Sequence, residues 1–218
     1  MLNPIGIFGG TFDPIHFGHL RLAQEAASAL GLQQVRFIPA GEPWQRSAPH
    51  APASQRLEMV KLACAGNSLF KVDDREIRRH GPSYSVDTLS ELRAELGAAQ
   101  PLCLLLGADA FLGLATWHRW QDLFNLAHIA VAHRPGFAPS SWADSMPPAL
   151  QQALAARQTT NPSALAKAPA GHILSYAITP LDISASHIRT DLQQGKSPRY
   201  LVPDAALDYI SQNNLYSE

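Results

Sequence analysis

The 218 residues are 46% hydrophobic and 16% charged, with a formal net charge of −1. That balance excludes a disordered chain and offers no global basic field to gather DNA, RNA or an anionic membrane, so any phosphate must be held by a local site. No apolar run reaches the roughly 20 residues of a membrane span. The start, Met1 to Phe8, does not read as a secretory leader, and Cys64 and Cys103 lie far apart in apolar segments, as buried thiols of a reducing compartment do. The expectation is one cytoplasmic domain over residues 1–218.

In chain order, Ile5 to Phe8 predicts a strand broken by Gly9-Gly10, and a helix follows from Gly18 to Leu30. Val35 to Pro39 predicts the second strand. Ser54 is the expected cap of a helix with Leu57, Val60 and Cys64 on its apolar face. Phe70 to Val72 is a third strand, and Val86, Leu89, Leu92 and Leu96 mark another helix. Leu102 to Leu106, ended by Gly107, has the continuous apolar character of a central parallel strand. His128 to Ala132 and Ile173 to Ala177 complete the set. Residues 134–172, rich in Pro, Ser and Ala with a helix near Ala149 to Arg157, read as a variable excursion within the same domain. Alternation of this kind predicts an α/β fold, a doubly wound parallel sheet with helices on both faces, with ligands beyond the carboxyl ends of its strands.

The segment Gly9-Gly10-Thr11-Phe12-Asp13-Pro14-Ile15-His16-Phe17-Gly18-His19 leaves the first strand and opens the first helix. Glycines let backbone N–H groups approach an anion, and a helix N-terminus adds partial positive charge. His16 and His19 can then face one phosphate. Two histidines so spaced also suit a plain surface helix start or part of a metal pair, but no third ligand lies nearby in sequence. No Gly-Lys-Ser/Thr follows, as a Walker loop requires, and the third glycine of the dinucleotide fingerprint is missing.

His16-Phe17-Gly18-His19 after a first strand resembles the His-x-Gly-His element of the nucleotidyltransferases, Rossmann-like enzymes that transfer AMP or CMP to a phosphorylated acceptor. Gly9 to Leu20 is similar to the signature of bacterial nicotinate-mononucleotide adenylyltransferases. Gly81 to Leu89 is similar to that family's acceptor segment, Gly107 to Phe111 with Thr116-Trp117-His118 to its central motif, and Ile183 to Arg189 to its Ile-Ser-x-Thr/Ser-x-x-Arg element.

The resemblance implies attack by the phosphate of nicotinate mononucleotide on the α-phosphorus of ATP, releasing pyrophosphate. The acceptor phosphate is already mostly dianionic at neutral pH, so alignment and charge relief matter more than a general base. The expected catalytic residues are His16, His19 and Arg189. Gly9, Gly10, Thr11, Phe12, Arg46, Gly107, Asp109, Ile183, Ser184 and Ser186 are expected to bind ATP. Ser184 and Ser186 would precede a short helix, making a second anion site. Tyr84, Ser85, Thr88, Trp117 and His118 are expected to hold the acceptor: Trp117 by stacking on the pyridine, Ser85 and His118 by backbone amides on the carboxylate. Magnesium is expected with ATP, held by phosphates and water rather than by a protein metal site. The expected partners are ATP and nicotinate mononucleotide, with no nucleic acid and no membrane; a homo-oligomer is left open. Alternatives are a pantetheine-phosphate adenylyltransferase, a cytidylyltransferase, or a non-catalytic nucleotide sensor on the same fold.

One segment departs from the family pattern. Where Pro-Pro-His-Lys/Arg is usual, this chain has Pro43-Trp44-Gln45-Arg46. Gln45 cannot become a cation, so Arg46 is expected to carry the charge, with Trp44 packing the loop in preference to forming part of a base-binding wall, and His50 five residues beyond Gln45.

Overall fold

The computed structural model describes residues 2–44, 48–134, 142 and 145–217. Six strands are hydrogen-bonded in the order β3-β2-β1-β4-β5-β6: β1 Ile5–Gly10, β2 Gln34–Pro39, β3 Phe70–Val72, β4 Leu102–Gly107, β5 His128–His133 and β6 Ile173–Ala177. The ladders run parallel with Ile5 opposite Leu102, Cys103 opposite His128, and Ile129 opposite Ile173. Leu102 to Leu106 are all buried, which explains their uninterrupted apolar sequence.

Two compact units make up the chain. One comprises Met1–Phe8, Leu22–Val35 and Tyr84–Pro180; the other comprises Gly9–Arg21, Arg36–Ser83 and Leu181–Glu218. The chain therefore passes from one unit to the other within β1, within the first helix α1 (Phe17–Leu30) and within β2.

In the first unit, α4 (Ser85–Leu96) buries Val86, Leu89 and Leu92, matching the predicted stripe. Its Arg93 gathers carbonyls at the far end, donating to Leu126 at 2.8 Å and to Gln100 and Pro169. A methyl on Gly6 would sit 2.8 Å from Leu32 Cδ1 and 3.2 Å from Val35 Cγ2, so those side chains would have to shift to admit it. The excursion holds α7 (Pro148–Arg157) and a fully buried Trp142 against Phe111 and His133. His128, also fully buried, has Nε2 2.9 Å from the Ala168 carbonyl and accepts from the His172 N–H at Nδ1. Those contacts fix a neutral Nε2–H tautomer and tether the return of the excursion to β5.

In the second unit, α2 (Ala53–Cys64) lies with α9 (Asp204–Gln212), α3 (Arg75–Arg78) and α8 (Ala185–Gln193). Several expectations need correction. β1 does not break at Gly9 but continues through Gly10, because two glycines can complete a ladder before the chain turns. Ser54 does not cap α2: the helix starts at Ala53 behind Pro52, whose fixed φ of −54° suits that entry and leaves no side-chain cap. The inward face of α2 is Arg56, Met59, Val60 and Cys64, with Leu57 only partly buried. Two short helices, α5 (Ala108–Leu112) and α6 (Leu123–Leu126), lie in the first unit; α6 and α9 were not anticipated. Cys64 and Cys103 are buried free thiols, each pushed up to about 12 by desolvation. Among the described residues, no helix is long and apolar enough to cross a membrane.

Candidate active site

The histidine motif takes its shape from its glycines. His16 is the residue before α1, and its carbonyl accepts from the N–H groups of His19 and Leu20 at 2.9 and 3.3 Å. The His16 N–H donates to His19 Nδ1 at 3.2 Å. A neutral His19 therefore carries its proton on Nε2. The two rings stack at 3.7 Å with an interplanar angle of 26°, and Phe12 meets His19 edge-on at 5.1 Å. A methyl on Gly18 would lie 3.0 Å from His16 Cε1 and Nδ1 and 3.8 Å from Ile183 Cβ. Gly18 thus lets the imidazoles stack, with Ile183 beside them. Gly10 has a similar duty, since a methyl there would sit 2.9 Å from the Phe12 ring.

His16 is 7% exposed, and desolvation lowers its pKa to about 4. It is neutral at pH 7. Among the described residues, its Nδ1 and the Tyr176 hydroxyl are the buried side-chain polar atoms without a hydrogen-bond partner. Two cations stacked this closely would repel, which also favours neutral imidazoles acting as N–H donors.

This pKa has a consequence for stability. The unfolded chain takes up a proton at His16 near pH 6.5, whereas the folded chain resists until about pH 4. The contribution is complete above pH 6.5 and is lost as pH falls towards 4, where it levels off. Burial depresses His128 in the same direction. Urea titrations should show the wild type losing about 2–3 kcal/mol between pH 7.5 and 4.5 on account of His16. His16→Gln should flatten that slope; an unchanged slope would exclude His16 as its source.

Arg189, on α8, is directed back to the motif. Its Nη1 donates to the Asp13 carbonyl at 2.7 Å, and its Nη2 lies 3.5 Å from Ser186 Oγ. Ser184 is the cap of α8, its hydroxyl accepting from the His187 N–H at 3.2 Å. Ser186 does not precede the helix as expected; it is the second helical residue, because the cap belongs to the serine with extended φ and ψ of −129° and 135°. Gly9, Gly10, Thr11, Phe12, His16, His19, Ile183, Ser184, Ser186 and Arg189 all belong to this second unit.

Sequence reasoning gave no role to two residues that hold these pieces. Asp13 is 6% exposed and accepts from the His50 N–H at 2.8 Å and the Ala51 N–H at 3.1 Å. Arg56 is 1% exposed and donates to the carbonyls of Thr11, Ala40, Gly41 and Ala51 at 2.6, 2.6, 3.2 and 3.1 Å. The segment between Gly41 and His50 is thus tied at both ends. A methyl on Gly41 would fall 2.2 Å from the Glu76 carbonyl oxygen, so the first of those ends is also a close backbone approach. Gln45 and Arg46 lie outside the described residues. Trp44 is 41% exposed.

The first unit carries the other expected residues. Gly107 ends β4 at φ −73°, and a methyl there would meet nothing within 4 Å. Asp109 is exposed in the first turn of α5. Tyr84 precedes α4 with extended backbone, Ser85 is its first residue, and Thr88 is buried one turn in. The His118 ring stacks on Tyr84 at 4.3 Å and 28°, joining two segments that the sequence separates. Trp117 is half-buried, and its backbone N–H donates to the Leu114 carbonyl at 2.9 Å. No group of three or more His, Cys, Asp or Glu among the described residues could hold a metal ion.

Residues 7–191 match the family described as cytidylyltransferase-like. A probable nicotinate-nucleotide adenylyltransferase of Dechloromonas aromatica (strain RCB) is 53% identical over 216 residues, 99% of each chain. One from Pseudomonas fluorescens is 51% identical over 213 residues, 97% of this chain and 96% of the relative. The chain belongs to the nicotinate-nucleotide adenylyltransferase family. Nicotinate-nucleotide adenylyltransferases are nucleotidyltransferase enzymes of NAD biosynthesis, and the fold here is theirs. A Plasmodium falciparum nicotinic acid mononucleotide adenylyltransferase, solved in complex with NaAD, superposes with a TM-score of 0.71 at 18% identity, covering 98% of this chain and 97% of that one. At that identity the likeness speaks for the fold alone.

Proposed function

We propose that the chain transfers AMP from ATP to nicotinate mononucleotide, giving nicotinate adenine dinucleotide and pyrophosphate. The observation that carries this reading is the stacked His16–His19 pair at the start of α1, in a chain half identical to named members of the family. An acceptor phosphate oxygen forms the new bond to the α-phosphorus as the bond to the bridging β-phosphate oxygen breaks. Charge gathers on the non-bridging oxygens, where preorganised neutral donors are most effective. His19, with Nδ1 committed to a backbone N–H, offers Nε2–H; His16, neutral and desolvated, supports it. Arg189 adds the fixed positive charge. Gly9, Gly10, Thr11, Phe12, Ile183, Ser184, Ser186, Gly107 and Asp109 complete the ATP assignment, with Arg46 supplying charge from its loop.

Magnesium, when bound with ATP, would neutralise phosphate charge. Magnesium dehydrates reluctantly and suits being held by phosphates and water. We propose a single catalytic domain working in the cytoplasm, where the buried thiols stay reduced.

Tyr84, Ser85, Thr88, Trp117 and His118 form the proposed acceptor group. The carboxylate of nicotinate suits two N–H donors, whereas an amide would turn its NH₂ against one of them. Pyrophosphate release with ATP should therefore show a specificity constant at least about 10-fold higher for nicotinate than for nicotinamide mononucleotide. Equal constants would remove the acceptor assignment, and release with phosphopantetheine instead would favour the pantetheine alternative.

A further inference from the structure

The C-terminal tail carries a group that the chemistry above does not use. Tyr216 is 8% exposed, and its hydroxyl donates to Asp13 Oδ1 at 2.7 Å. Asn214 and Tyr216 both adopt left-handed backbone, at φ 49° and 64°, so the tail turns twice to deliver that ring. Non-glycine residues persist in such conformations when their surroundings over-determine them. Burial and the adjacent Asp13 carboxylate both push the phenol's pKa up, so it remains a donor throughout the working pH range.

Asp13 stands three residues before His16. Its Oδ1 is shared by the Tyr216 hydroxyl and the Ala51 N–H, its Oδ2 takes the His50 N–H, and its carbonyl takes Arg189. One buried aspartate therefore joins the tail, the return of the segment that follows Gly41, the α8 arginine and the histidine motif. We propose that Tyr216 is a positioning residue for ATP, acting through Asp13 on Arg189 and on the backbone at His50 and Ala51. The inference rests on the adenylyltransferase reading only in naming ATP as the ligand these elements hold. Loss of the hydroxyl leaves a desolvated carboxylate short of one donor, and the carboxylate must shift or admit water. Either response moves the backbone on both sides of Asp13.

Tyr216→Phe keeps the ring and removes the bond. Calorimetric Kd values for a non-hydrolysable ATP analogue and for nicotinate mononucleotide, with kcat and Tm, separate positioning from plain stability. The analogue should bind about 10-fold more weakly, as expected for one charge-assisted hydrogen bond partly lost, with mononucleotide affinity within about twofold of wild type. Unchanged analogue binding overturns the proposal, as does equal weakening of both ligands in step with a fallen Tm. In an Asp13→Asn background the same substitution should add little; a fully additive loss overturns the route through Asp13. Analogue binding is read without turnover. A wild type that binds it but does not adenylate nicotinate mononucleotide removes the acceptor assignment and leaves the Tyr216 comparison intact.

Discussion

Replacing His19 by alanine is expected to lower kcat by about 100-fold or more while leaving the Kd of nicotinate mononucleotide nearly unchanged. The ring is held from three directions: Phe12 meets it edge-on, His16 stacks on it, and the His16 N–H occupies its Nδ1. Such a donor is already oriented before charge develops, so its benefit belongs to the transition state and not to ground-state binding. His16→Ala is the less clean experiment, because His16 is buried and its removal also leaves a cavity. Steady-state kinetics with both substrates varied, on His19→Ala protein with wild-type circular dichroism, provide the test. Wild-type turnover in that protein would end the assignment of His19 to the α-phosphate.

The sequence made β4 legible because Leu102 to Leu106 are all buried and form one continuous apolar run, and its bounds differ only by including Gly107. The edge strands β3 and β6 also match their predicted bounds, although Lys71 and Ala177 are exposed. The histidine motif was legible because its glycines and imidazoles are chemically distinctive. Its supports were not. Arg56 follows Ser54 and Gln55 on a helix, where an arginine ordinarily reads as a solvated face; nothing local says that it turns inward to four carbonyls. Tyr216 lies more than two hundred positions from its partner Asp13, |i−j| being 203, and no periodic pattern links them. A weaker signal was missed at α9: Pro203-Asp204 followed by Ala206 and Ile210 at helical spacing is a helix start, and both apolar residues are buried. The Ser184 and Ser186 pair shows the opposite limit. Sequence placed two hydroxyls near a helix N-terminus, but only backbone dihedrals decide which of them is the cap.

Arg56→Met is expected to be the most destabilising of these substitutions, by about 3–5 kcal/mol. Methionine fills much of the same volume but donates nothing. Four backbone carbonyls, those of Thr11, Ala40, Gly41 and Ala51, lose their shared cation. Each buried acceptor left unsatisfied costs about 1–3 kcal/mol, less whatever relaxation and entering water recover. The favourable field that the Asp13 carboxylate exerts on the guanidinium is lost with it. Burial itself depresses the guanidinium's pKa, yet arginine keeps its proton in proteins, so the cation is retained for the sake of its four bonds. For a chain of this size the loss corresponds to a Tm lower by about 6–20 °C. Arg56→Lys should recover little of it. A single ammonium on a flexible stem cannot reproduce a planar fork whose Nε, Nη1 and Nη2 point to carbonyls on three separate stretches of chain. Equilibrium urea unfolding of the three proteins at pH 7.5 measures the ranking. A lysine variant within about 1 kcal/mol of wild type would mean that charge near Asp13, and not the geometry of the fork, is what the site requires.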